Sequence, residues 1–105
     1  MLIVAGKIEV DPAQRDAFLE GRADAVRATR SEPGCIEYSF SADGIEPGLI
    51  RIFEIWESKD DLTVHLGVLQ QQQSQAPPAG GPAPVAVKSA EVLQYEISSS
   101  GPLGS

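Results

Sequence analysis

Cysteine, histidine and tryptophan each occur once in this chain of 105 residues. One cysteine forms no internal disulfide and cannot by itself build a zinc site. No metal centre is therefore expected, and a lone thiol fits a reducing cytoplasm. Basic residues are also scarce: eight Lys and Arg stand against fifteen Asp and Glu, for a net charge of -7. Nucleic-acid binding needs phosphate neutralisation by cationic side chains, so no nucleic-acid partner is expected. No apolar run approaches the ~18 residues that cross a bilayer, and no membrane partner is expected. The opening "MLIVAGKIEV" has no charged segment before its apolar part, so it reads as a strand and not as a signal peptide.

What is present fits one small domain. A domain of this size buries a thin core and gains from self-association. Leu2 to Val10 alternates, with Leu2, Val4, Gly6, Ile8 and Val10 on one face, and predicts a first strand. Asp11-Pro12 is a helix start, a capping oxygen followed by proline at the first helical position. A helix is expected from Pro12 to about Thr29, on a stripe that includes Ala13, Ala17, Phe18, Gly21, Ala25 and Thr29. Pro33-Gly34 ends it.

Cys35 to Ser41 predicts a second strand, with Ile36, Tyr38 and Phe40 on one face and Cys35, Glu37 and Ser39 on the other. "ADGIEPG" is the hairpin loop, and Leu49 to Trp56 the third strand. Ser58 caps a second helix whose first turn carries Asp60 and Asp61, where the helix dipole favours carboxylates. Leu62, His65, Leu66 and Leu69 follow at helical spacing. Gln70 to Ala86 reads as a low-complexity loop, flexible over Ala76 to Pro84. A last strand centres on Val92 to Ile97. The domain is taken as residues 1–98, and the terminal "GPLGS", 101–105, as an expression-vector scar. The order strand, helix, strand, strand, helix, strand predicts an α+β, ferredoxin-like βαββαβ fold with an antiparallel sheet and both helices on one face.

"MLIVAGKIEVDP", "EPGCIEYSF" and "FEIWESKDDLTVHL" together resemble the antibiotic biosynthesis monooxygenase family, over roughly Met1 to Leu69 and the final strand. The resemblance implies a dimeric α+β barrel, similar to quinol monooxygenases. It implies a homodimer in which each subunit binds a small aromatic between sheet and helices. Several members oxygenate phenols, anthrones or quinols with dioxygen and no cofactor, whereas others are isomerases or have no known activity. The chain departs from the family pattern after His65-Leu66: members usually carry a second histidine there, and this chain has "GVLQQQQSQAPPAGGPAP". The haem-degrading branch uses an asparagine from the first strand, and Leu2 to Val10 contains none.

On this reading His65, Trp56 and Tyr38 are the candidate catalytic residues, as base, wall and hydrogen-bond donor. Phe40, Arg51, Phe53 and Glu54 are the candidate substrate-binding residues. Alternatives stay open at each position. His65 is either a proton acceptor or a histidine packed on the apolar face of its helix. Trp56 either stacks on a planar ligand or fills the sheet–helix interface. Tyr38 and Phe40 line a pocket or form ordinary core or dimer contacts. Glu54 needs a partner if buried, such as Lys7, Arg51 or the histidine. Arg51 binds an anionic group or makes an intersubunit ion pair. Cys35 reads as a small strand residue: Glu32 and Glu37 nearby oppose a reactive thiolate. The function is read as cofactor-independent monooxygenation of a small electron-rich aromatic. The alternatives are a non-catalytic binding dimer and an isomerase using the same pocket.

Overall fold

The computed structural model describes residues 1–73 and 85–104. Four strands form one antiparallel sheet: β1 (Leu2–Val10), β2 (Cys35–Ala42), β3 (Leu49–Trp56) and β4 (Val87–Glu96), in the order β2-β3-β1-β4. Two helices, α1 (Arg15–Arg30) and α2 (Lys59–Gln73), join them. This is the expected ferredoxin-like arrangement. Side chains of both helices meet one face of the sheet, around a cluster of Val4, Tyr38, Trp56 and Leu62. That burial is the main favourable term in the fold.

The helix signals act with one local adjustment. Asp11 accepts a hydrogen bond from the Ala13 N–H at 2.9 Å. Pro12 opens a short 3-10 turn, Pro12–Gln14, and the α-helix proper begins only at Arg15. The tighter turn keeps the proline where its missing N–H is harmless. The Arg15 guanidinium then donates to the carbonyls of Asp43, Glu46 and Leu49 at 2.8–3.3 Å, tying the β2–β3 loop to the start of α1. Ser58 caps α2, its Oγ accepting from the Asp61 N–H at 3.1 Å and donating to the Asp61 carboxylate at 2.8 Å.

Two expectations need correction. The loop predicted over Gln70 to Ala86 begins too early, because α2 runs through Gln73; glutamine is a competent helix former, and nothing before Pro77 obliges the chain to leave the helix. The flexible stretch expected over 76–84 lies outside the described residues. The facing of β2 is the second correction. Cys35 pairs with Trp56, but Glu37 pairs with Ile55, so Ile36 is an extra residue in a β-bulge. The bulge turns Cys35 onto the face of Tyr38 and Phe40, where it packs against the core, and leaves Ile36 exposed. An inserted residue inverts the alternation on one side of itself.

The turn before β2 is fixed onto α2. Gly34 has φ of +80°, a backbone state that glycine adopts without strain. A side chain there would collide with the Asp61 carboxylate. The Gly34 carbonyl accepts from the Glu57 N–H at 2.8 Å. This docking holds residues 32–34 beside the first turns of α2.

Candidate functional site

A cavity of about 720 Å³ opens between the sheet and the two helices. Its floor is apolar, with Val4, Ile8 and Ile52 from the sheet and Leu62, Leu66 and Leu69 from α2. Val92 and Gln94 bring β4 to its edge. Four titratable side chains reach the same space: Arg22, Tyr38, Glu54 and His65. A mainly apolar concavity with a few convergent polar groups is the usual form of a small-molecule site.

His65 is 1% exposed. Its Nδ1 lies 3.0 and 3.3 Å from the two carboxylate oxygens of Glu32. A carboxylate only accepts, so Nδ1 carries the proton and donates. In the neutral ring Nε2 is then the nitrogen with the lone pair, and it is buried without a hydrogen-bond partner. The ring packs 4.8 Å from the Trp56 ring and edge-on to Tyr38 at 5.3 Å. An imidazole held by a carboxylate on one nitrogen, with the other free, is prepared to take a proton.

Glu54 is also buried, at 7% exposure. Its partner is none of the three expected side chains: the Trp56 Nε1–H donates to its Oε1 at 2.9 Å. Burial pushes the Glu54 carboxyl up, with the Trp56 hydrogen bond and, whenever the imidazole is protonated, the charge of His65 opposing that shift. Tyr38 is pushed up by burial and by Glu54, against Arg22. Both groups are thereby biased toward the protonated, hydrogen-donating form.

The predicted site residues divide between the two faces of the sheet. Tyr38, Phe40, Glu54 and His65 line the cavity together. Trp56 is fully buried beneath His65 and acts as its support, not as an open wall. Arg51 and Phe53 do not join them. Both lie on the opposite face, because residues of β3 alternate and Ile50, Ile52, Glu54 and Trp56 take the inner side. Arg51 there donates to Asp43 at 3.2 Å. Cys35 stands near the cluster, with its thiol pushed up by burial first and then by Glu32 and Glu54, against Arg30. A thiol shifted this way is a poor nucleophile.

Two residues of the site were missed in the sequence. Arg22 was passed over, although it stands four residues after Phe18 and four before Val26, on the apolar stripe of α1. Glu32 was weighed only as a neighbour of Cys35, and its partner lies 33 residues away.

A profile of the antibiotic biosynthesis monooxygenase family matches residues 1–76. The chain belongs to that family. Antibiotic biosynthesis monooxygenases form a monooxygenase-type family whose members act on small molecules. An uncharacterized protein of Synechocystis sp. is 38% identical over 64 residues, which is 61% of this chain. The chain spans 44% of the length of that relative. A solved antibiotic biosynthesis monooxygenase is 20% identical, over 92% of this chain and 98% of its own, with a TM-score of 0.66. The heme-degrader MhuD from Mycobacterium tuberculosis, described with two hemes bound in its active site, is 16% identical over 97% of this chain and all of its own, with a TM-score of 0.71. At these identities the solved structures bear on the fold.

Proposed function

We propose that this protein is a monooxygenase that works without metal or flavin, acting with dioxygen on a small electron-rich phenol, anthrone or quinol. The observation that carries the reading is His65: a buried imidazole that borders an apolar cavity, held by Glu32 through Nδ1, with Nε2 unpartnered. Nε2 removes a proton from the substrate, and the Tyr38 hydroxyl donates to the oxygen that becomes anionic. The anion passes one electron to dioxygen. Superoxide and the carbon radical recombine with a new C–O bond, and the imidazolium returns its proton to the terminal peroxide oxygen. Loss of the remaining hydrogen on that carbon, with cleavage of the O–O bond, leaves a carbonyl and water. A CH₂ carbon of the keto tautomer plus O₂ thus gives C=O plus H₂O, with no external reductant.

His65→Ala is expected to keep the fold and lower oxygen consumption about 10²–10⁴-fold with a hydroxylated aromatic. Unchanged turnover in the folded variant defeats the assignment. Turnover under argon as well as air identifies an isomerase, and saturable binding without turnover identifies a binding module.

One observation favours a second occupant. A buried, unpartnered imidazole nitrogen is the atom type that ligates haem iron, and MhuD shares the fold. Leu2 to Val10 holds no asparagine, which counts against haem degradation. A hemin titration with no Soret shift, or with the same shift in His65→Ala, removes that reading.

A further inference from the structure

Arg22 borders the same cavity, and no step of the proposed reaction uses it. Its neighbours at helical spacing are Phe18, which lines the cavity, and Val26, which packs on the core. A guanidinium in such a row is costly unless something meets its charge. The Phe40 ring meets part of it, with Cζ 5.2 Å from the ring centroid, a cation–π distance. The Nε is buried and has no hydrogen-bond partner. Among the described residues, no carboxylate forms an ion pair with Arg22. Glu54, the acid in the same wall, is biased to its neutral form by burial.

Two buried polar atoms around one cavity are therefore unmet: a donor at Arg22 Nε and an acceptor at His65 Nε2. A hydrocarbon would leave both so. A ring carrying a hydroxyl and an anionic oxygen meets both, the hydroxyl at Nε2 and the anion at the guanidinium. Long-range electrostatics does not account for a preference of this kind. The chain carries a net charge of -7, which opposes the approach of an anion. Any preference for one must be local.

We propose that Arg22 determines specificity at this cavity, and that its substrate class is a hydroxylated aromatic carboxylate. The proposal rests on the cavity being the substrate site. Isothermal titration with 1-hydroxy-2-naphthoate and with 1-naphthol near neutral pH tests it. Wild type is expected to bind the acid about 10–100-fold more tightly than the naphthol. Arg22→Gln should abolish that preference while retaining naphthol binding, and Arg22→Lys should keep part of it. Equal affinities in wild type, or an intact preference in Arg22→Gln, overturn the proposal. If Arg22→Gln does not fold, the wild-type pair and Arg22→Lys decide: a preference that Arg22→Lys leaves fully intact, or abolishes, counts against it. Failure of both probes to bind wild type overturns it together with the substrate-site reading. A charge preference without oxygen uptake leaves the ligand class standing and removes the monooxygenase. Oxygen uptake with equal kcat/KM for the two probes does the reverse.

Discussion

Glu32→Ala is the perturbation that tests the support of the base most directly. The carboxylate sits 3.0 and 3.3 Å from His65 Nδ1. Hydrogen bonds to charged groups contribute about 1.5–3 kcal/mol. The Glu32 side chain is 22% exposed while His65 is 1% exposed, so water screens one end of the pair. Screening brings the expected loss to about 1–2 kcal/mol, around and below the low end of that range. That loss includes the cost of leaving Nδ1–H buried with no acceptor, beside an Nε2 that already lacks a donor. For a domain of this size, 1 kcal/mol displaces Tm by about 4–8 °C, so a fall of about 4–16 °C is expected. Glu32→Gln keeps an acceptor oxygen and loses the charge, and should recover a substantial part. Thermal unfolding followed by Trp56 fluorescence provides the measurement. A double-mutant cycle with His65→Ala should return a coupling of about 1–2 kcal/mol. A Glu32→Ala protein within about 0.5 kcal/mol of wild type, or a cycle with no coupling, would refute the reasoning.

Three further outcomes are expected. Cys35→Ala should leave turnover unchanged and cost about 1 kcal/mol; a folded variant without turnover would show that the thiol takes part. Glu54 has a folded-state pKa raised by burial, so the folded state holds its proton longer than the unfolded chain does. Stability should then decline as pH rises from the unfolded glutamate value, about 4.3, through the raised one. Urea titrations across that window should give a flatter profile for Glu54→Gln, and parallel profiles would contradict the burial argument. The proposed homodimer is expected to form through the outer face of the sheet, where Phe53, Leu93 and Tyr95 are exposed; a stable species at 11.1 kDa in micromolar sedimentation would rule it out.

The parts of the fold carried by short-range signals were legible. Asp11-Pro12, Pro33-Gly34 and Ser58 each act on residues within a turn of themselves, and each lies where the pattern put it. The inward placement of His65 followed from its spacing to Leu62 and Leu69. What was not legible depends on the register between strands or on distant partners. An alternating run does not reveal a bulge, so Ile36 and Cys35 were assigned to the wrong faces. Arg51 and Phe53 were chosen for their chemistry, and the parity of β3 puts them behind the sheet. Glu32 meets His65 because the 32–34 turn is pinned at Glu57, just ahead of α2. Arg22 did leave a signal, a charge within an apolar stripe.

The bulge at Ile36 makes residue number part of the site. Before it, the odd position Cys35 points inward; after it, the even positions Tyr38 and Phe40 do. No strand without the extra residue could bring all three inside at once. Glu32 stands three residues upstream of Cys35, so the segment from the imidazole's anchor to the hydroxyl beside it has a fixed length. Losing or gaining one residue between Glu32 and Tyr38 would separate the two while leaving every reactive side chain in the chain. At Ile36 the occupant's identity is free to drift, and its presence is not.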